Sequence, residues 1–150
     1  MTRNHDEGWT SRWPAVGELD ELAHALLLEG ERLLWLGRGV QESGWIVGAD
    51  GRETMQFGEG TIAPEEQRDK LARAAARGAA RQVAWLRVLG RAEVGRRRLM
   101  VAIAEDRRTA AAWGFGYELD DRRMCAGAWY RVDPAWAAIR YYRVLAPPAA

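Results

Sequence analysis

The segment WGFGYELDDRRMCAGAWYRV, residues 113–132, decides the fold of this chain. Aromatic residues and glycines alternate from Trp113 to Tyr117, which is the two-residue period of a β-strand. Asp120-Asp121 separates this run from the next one and predicts a two-residue hairpin turn. That pairing predicts an aromatic face on the sheet, formed by Trp113, Phe115, Tyr117, Met124 and Tyr130.

Small residues occupy the opposite face of the same predicted hairpin, at Ala112, Gly114, Gly116, Cys125 and Gly127. The three strands of this meander are predicted at Arg98–Ala104, Arg108–Leu119 and Arg122–Val132. The first of them adds Leu99, Val101 and Ile103 to the small-residue face. A face of small residues suits a closely docked helix, so the aromatic face needs a different cover.

A long amphipathic helix is predicted to begin at Pro64 and to run to about Gly90, since proline fits the first turn. Its apolar arc contains Leu71, Ala75, Gly78, Gln82, Trp85, Leu86 and Leu89. Its basic face contains Lys70, Arg73, Arg77, Arg81, Arg87 and Arg91. Gly78 lies in the middle of the apolar arc, where it would let the helix approach the sheet closely.

The first part of the chain predicts a helix over Val16–Glu29, ended by Gly30, with acidic residues and His24 on its polar side. A short strand is predicted at Arg32–Leu36. Asp50-Gly51 predicts a hairpin between Gly44–Ala49 and Arg52–Phe57. A last short helix is predicted from Asp133-Pro134 to about Leu145. The fold class is therefore α+β in the order α-βββ-α-βββ-α, with antiparallel meanders packed on the long helix.

The length of 150 residues predicts one domain, with residues 1–14 as a flexible arm and 146–150 as a flexible tail. A single cysteine, Cys125, and the lack of a secretory signal or a membrane-spanning apolar run predict a cytoplasmic protein without a membrane partner. The chain is arginine-rich, because only one of its 22 basic residues, Lys70, is a lysine.

Charge and tryptophan content are the two unusual features of the composition. Residues 1–66 carry 5 basic and 13 acidic residues, whereas residues 67–150 carry 17 and 8. Such a split favours either complementarity between the halves, within one fold or in a homodimer, or a surface for a polyanion. The eight tryptophans either fill the core or line a pocket or an interface.

Catalytic and metal-binding sets are not evident in the sequence. His5, His24 and Cys125 lack the spacing of metal ligands, and Ser11 and Ser43 lie in no nucleophile elbow. The bare Gly-x-Gly segments complete no dinucleotide or P-loop motif. We therefore expect no metal, no cofactor and no catalytic residues, and we interpret Cys125 as a buried, inert thiol.

The aromatic-glycine ladder of residues 113–117 resembles the pattern with which RNA-recognition folds stack bases, and residues 34–37 resemble the companion strand. The resemblance covers about a dozen residues and would imply RNA binding. The element order given above departs from the βαββαβ order of that family.

Three functions remain open. The leading hypothesis is a non-enzymatic binding or regulatory module that acts through protein–protein contact, with a protein partner or with itself, and we expect a homodimer. The first alternative is a cofactor-free enzyme or small-molecule binder whose pocket is lined by the aromatic face, with Tyr117, Glu118 and Tyr130 as the first residues to test. The last alternative is nucleic-acid binding, with Arg73, Arg77 and Arg81 as the surface for an anionic partner.

Overall fold

One six-stranded antiparallel sheet carries a helix on each face. The computed structural model describes residues 17–57, 63–89, 98–120, 123–134 and 144–145. In chain order the elements are α1 (Glu18–Trp35), β1 (Ser43–Gly48), β2 (Gly51–Gln56), α2 (Pro64–Arg77), β3 (Gln82–Leu89), β4 (Arg98–Glu105), β5 (Ala110–Asp120) and β6 (Arg123–Val132). The strands are ordered β2-β1-β3-β4-β5-β6 across the sheet. The α+β class is confirmed, and the described residues contain two helices where three were predicted for the chain.

Helix α1 runs through Gly30 and includes most of the segment that we predicted as a strand at Arg32–Leu36. Gly30 is buried within the helix and lies against Met100 of β4. The helix instead ends at Gly37, which has a φ of 74° and donates its N–H to the carbonyl of Leu34. The N–H of Arg38 bonds to the carbonyl of Leu33, so the end is a Schellman motif.

The predicted hairpin around Asp50 is confirmed as β1 and β2. Val47 pairs with Arg52 and Trp45 pairs with Thr54, so the connection consists of Ala49 and Asp50, one residue earlier than predicted. The predicted three-stranded meander in this half is wrong, because its first strand belongs to α1.

The second helix is shorter than predicted, because α2 ends at Arg77 and the chain turns back into the sheet as β3. Ala79 takes a left-handed φ of 49°, and the N–H of Ala80 bonds to the carbonyl of Ala75. Residues 83–89 are almost all apolar and are buried on both faces at the centre of the sheet, which is typical of a central strand. Gly78 follows the last helical residue, so it is not in the middle of a helix as predicted, although its backbone lies close to Ile46 and Gly48 of β1.

The three predicted C-terminal strands are confirmed as β4, β5 and β6, but the register of the last pair differs. Leu119 pairs with Met124 and Glu118 pairs with Ala126, so a β-bulge adds one residue to β6. Because of the extra residue, each residue of β6 after the bulge points to the face opposite the predicted one. Trp129 therefore joins the aromatic face, where it pairs with Phe115, and Tyr130 moves to the other face, opposite Gly114.

Each face of the sheet has its own core. Helix α1 covers the aromatic face, where Leu26 and Leu27 are buried with Trp113 and Phe115. Helix α2 packs on β1 at the other face, where Leu71 and Ala75 belong to one buried cluster with Leu99, Val101, Ile103 and Ala112. The first helix therefore covers the aromatic face, whereas the predicted packing of a long helix on the small-residue face is not confirmed.

The C-terminal segment is described only at residues 133–134 and 144–145. Val144 is buried in the same core cluster as Leu71 and Ala75 of α2. The buried carboxylate of Glu105, at the end of β4, accepts hydrogen bonds from the backbone N–H groups of Val144 and Leu145. The helix predicted from Pro134 to Leu145 is not confirmed. Most of it lies outside the described residues, as do the arm and the tail.

A glycine on β6 gives a test of the bulged register. A Cβ atom at Gly127 would lie 2.3 Å from Cζ of Phe115, whereas one at Gly39 would meet nothing within 4 Å. We expect Gly127→Ala to lower the free energy of unfolding by about 1–3 kcal/mol, because the buried ring must move. Gly39→Ala, the control, should change it by less than about 0.5 kcal/mol. Equal effects in urea unfolding would contradict the register.

Candidate functional site

Two buried carboxylates of α1 hold the tryptophans of the aromatic face. Asp20 accepts a hydrogen bond from Nε1 of Trp113 at 3.0 Å and one from the guanidinium of Arg131 at 3.0 Å. Glu31 accepts hydrogen bonds from Nε1 of both Trp129 and Trp35, each at 2.9 Å. Both carboxylates are almost completely buried. Because each one accepts at least two such bonds, the cost of removing it from water is offset.

His24 lies between these two carboxylates on α1 and packs against the sheet. Its ring meets Trp113 edge-on at a centroid distance of 4.3 Å and Trp129 at 5.2 Å. Burial lowers the pKa of His24, and Arg131 lowers it further, while Asp20 and Glu21 act in the opposite direction. The expectation of a solvated histidine beside a polar Asp20 is therefore wrong, because both residues face the sheet.

The predicted aromatic surface is divided between the two faces of the sheet. Trp113, Phe115, Tyr117 and Met124 are buried beneath α1, and Phe115 stacks on Tyr117 at 5.9 Å. Burial also raises the pKa of Tyr117. Tyr130 lies on the opposite face and is exposed. A role for these side chains in binding a ligand or a partner stays a prediction.

The three arginines predicted as an anionic-partner surface are exposed but do not form one patch. Arg73 and Arg77 lie on α2, where Arg77 lines a cleft beside β2. Arg81 precedes β3 and lines a different cleft of about 500 Å³, together with Glu18, Glu21 and Asp106. Binding of an anionic partner by this set also stays a prediction.

The strand β2 forms one edge of the sheet and is largely exposed. No strand among the described residues pairs with the outer side of β2, and five of its six residues are exposed. In an antiparallel strand, every second residue directs its backbone N–H and C=O away from its partner. An edge strand of this kind is a template for pairing with another chain.

A cleft of about 330 Å³ lies beside β2 on the side of α1, and we call it the α1-side cleft. Its floor contains Trp45 from β1 and three residues of β2, Arg52, Thr54 and Gln56. Leucines 26 and 33 from α1 form the apolar wall. The guanidinium carbon of Arg52 lies 3.6 Å from the centroid of the Trp45 ring, which is a close cation–π stack.

A second cleft, of about 360 Å³, lies on the other side of β2, and we call it the α2-side cleft. Its apolar lining comes from Ile46, Met55 and Ala74, and its charged groups are Glu53 and Arg77. The two clefts lie on opposite sides of one strand, because neighbouring residues of β2 point to opposite faces of the sheet.

A hydrogen-bond network fixes the strands next to these clefts. Glu42, just before β1, accepts hydrogen bonds from the amide group of Gln67 at 2.6 Å and from the backbone N–H of Val88 at 2.9 Å. The side-chain oxygen of Gln67, which is buried in α2, accepts a hydrogen bond from Nε1 of Trp85 at 2.7 Å. The network joins α2 and β3 to the residue before β1.

Metal binding, membrane insertion and thiol chemistry were also considered for the described residues. No three His, Cys, Asp or Glu side chains are grouped there as the ligands of a metal ion would be. None of the described helices is long and apolar enough to cross a membrane. The side chain of Cys125 lies outside what the structure describes.

Sequence reasoning did not identify Arg52, Trp45, Glu31 or Trp129 as residues of interest. The hairpin pattern contained a signal for the first two. A two-residue turn at or next to Asp50 pairs Arg52 with an odd-numbered residue of β1, and such residues share a face with Trp45. No comparable signal existed for Glu31, since helical periodicity does not show which carboxylate meets an indole. Trp129 was missed because of the bulge.

The carboxylate of Glu31 gives a prediction about stability. Glu31→Gln keeps the shape of the side chain but offers one acceptor and an NH₂ donor to two indole donors. We expect the free energy of unfolding to fall by about 1–3 kcal/mol. Glu29→Gln is the matched control on the same helix. Its exposed ion pair with Arg32, at 4.0 Å, should contribute less than about 1 kcal/mol. Denaturant unfolding measures both, and similar losses would contradict the prediction.

The lowered pKa of His24 predicts how stability depends on pH. Below the ordinary histidine pKa of about 6.5, the unfolded chain takes up a proton that the folded state resists. The stability due to neutral His24 is therefore fully present above pH 6.5 and is lost as the pH falls towards the folded pKa.

His24→Gln removes this titration. We expect the wild type to lose more stability than His24→Gln between pH 7.5 and 5.5, as measured by the free energy of unfolding at each pH. A difference between the two proteins that stays constant with pH would show that the folded and unfolded pKa values are equal.

Comparisons with known proteins return no match to this chain, either among protein-family models or among curated proteins and solved structures.

Proposed function

We propose that this chain is a cytoplasmic, non-enzymatic binding module that acts through protein–protein contact, and that it receives its partner at β2. The observation that carries this proposal is the exposed edge of β2 with an open cleft on each of its two sides. A strand added to β2 would form main-chain hydrogen bonds and would direct alternate side chains into the two clefts. Main-chain bonds would supply affinity, and the clefts would supply specificity.

The exposed apolar residues of α1 also support a contact with protein. Leu28, Trp35 and Leu36 are between 45% and 63% exposed at the C-terminal end of the helix. The indole of Trp35 is held in place by its hydrogen bond to Glu31. Large, fixed and exposed apolar groups are typical of interaction sites. They add a second, smaller surface to the one at β2.

Site-specific photo-cross-linking tests the contact at β2. With p-benzoylphenylalanine in place of Gln56, we expect a discrete protein adduct in extracts of the source organism. The same reagent in place of Arg73, which is exposed on α2, should give no such adduct. Met55→Lys should remove the adduct at position 56, because a lysine on an edge strand opposes strand addition.

Two outcomes of the cross-linking experiment would contradict the proposal. If positions 56 and 73 give the same adducts, or if Met55→Lys leaves the adduct at position 56 unchanged, β2 is not the contact surface. Far-ultraviolet circular dichroism of each variant confirms that the sheet is retained.

A further inference from the structure

The geometry points to the class of partner that β2 receives: an extended segment of a different chain, with an acidic side chain opposite Arg52 and an apolar side chain at the next position. This inference rests on the proposed function and adds the chemistry that the partner must carry. Three observations support it, namely the state of Arg52, the lining of the two clefts and the distribution of charge along β2.

The guanidinium of Arg52 is oriented but has no anionic partner in the described structure. The Trp45 ring, 3.6 Å away, covers one face of the guanidinium plane. The N–H donors of an arginine lie in that plane, so stacking leaves them available at its edge. No carboxylate among the described residues forms an ion pair with Arg52. A planar, pre-oriented fork of donors fits a carboxylate.

The position of Arg52 fixes where that carboxylate must come from. Arg52 pairs with Val47 of β1 and points to the α1 side of the sheet. A residue directly opposite it on an added strand would point to the same side, with its Cβ about 4.5–5.5 Å away. An aspartate or glutamate at that position therefore reaches the guanidinium.

The neighbouring residue of the added strand would point into the α2-side cleft. That cleft contains both signs of charge, at Glu53 and Arg77, beside an apolar part formed by Ile46, Met55 and Ala74. A branched apolar side chain such as valine fits the apolar part. The partner segment is therefore expected to alternate between acidic and apolar residues. This alternation matches the two faces that β2 presents.

A second copy of this chain does not satisfy the same requirement. In an antiparallel dimer formed through β2, a two-fold axis perpendicular to the sheet keeps the α1 sides of both copies on one face. Arg52 would then lie opposite Arg52, Thr54 or Gln56 of the other copy. The one acid of β2, Glu53, points to the α2 side in both copies. The charges therefore favour a different chain over the homodimer expected from the sequence.

Titration of the ¹⁵N-labelled protein with defined peptides tests this inference. The probe is the capped peptide Ser-Glu-Val-Glu-Val-Glu-Ser, and its matched control has lysine at each glutamate. We expect the acidic peptide to shift the amide signals of β2 and to bind at least about fivefold more tightly than the lysine peptide.

Variants of Arg52 distinguish recognition of the peptide's charge from nonspecific binding. Arg52→Glu should reverse the preference between the two peptides, and Arg52→Gln should abolish it. Arg73→Glu makes the same change of charge at an exposed position of α2 and should leave the preference unchanged. N-acetylglutamate methylamide carries the same carboxylate without an extended strand. We expect it to bind far more weakly than the acidic peptide.

Four results would overturn the inference. Equal binding of both peptides, or no shift of β2 signals at millimolar acidic peptide, would exclude recognition of an acid. Equal affinity for N-acetylglutamate methylamide would indicate a small-carboxylate site without strand pairing. A dimer in sedimentation that Met55→Lys dissociates would indicate a second copy. If any of the first three results is found but the cross-linked adduct at position 56 is still formed, the proposed function stands. Only the inference that the partner segment is acidic is then rejected.

Discussion

The hydrogen bonds between the carboxylates of α1 and the indoles of β5 and β6 are the constraint on which the rest of the structure depends. Asp20 and Glu31 are buried carboxylates, and the hydrogen bonds from Trp113, Arg131, Trp129 and Trp35 offset the cost of their burial. These bonds determine which face of the sheet α1 covers. The contacts of α1 are mostly with β4 and β5, so the β2 end of that face carries an open cleft.

The same bonds explain part of the unusual composition. The acidic first half of the chain contributes α1, and the basic second half contributes the strands that α1 covers. The Asp20–Arg131 ion pair joins the two halves at 3.0 Å. Complementarity within one fold was one of the explanations considered for the charge split, and this contact is a direct instance of it. Three of the eight tryptophans are accounted for by the same two carboxylates.

The elements predicted correctly from the sequence were those with short, strict periodicity. The alternation in residues 113–117 and the turn at Asp50 are local signals, and the strands next to them were found. Residues 82–89 were assigned to a helix because Trp85, Leu86 and Leu89 fit a helical period as well as a buried strand. The end of α2 at Arg77 depends on a left-handed alanine, Ala79, for which no sequence pattern exists. No sequence pattern indicates the bulge near Glu118 either, and because of it Tyr130 lies on the opposite face from the one predicted.

The candidate site was harder to predict than the fold. The aromatic ladder drew attention because it is conspicuous, whereas the open edge is made of ordinary polar residues. Whether Arg52 stands beside Trp45 depends on the register of a hairpin, and whether their cleft is open depends on how far α1 reaches. Both are tertiary properties, and a pattern in one segment does not determine them.

The wide separation of the bonded partners has a consequence for biosynthesis. Trp129 and Arg131 follow Glu31 and Asp20 by 98 and 111 residues, so α1 leaves the ribosome long before its partners exist. For most of translation its apolar side and both carboxylates lack the surface that finally covers them. Closure of such long loops makes the final docking of α1 slow and late. The nascent chain is therefore most open to chaperones, and to aggregation, until its last strand has been made.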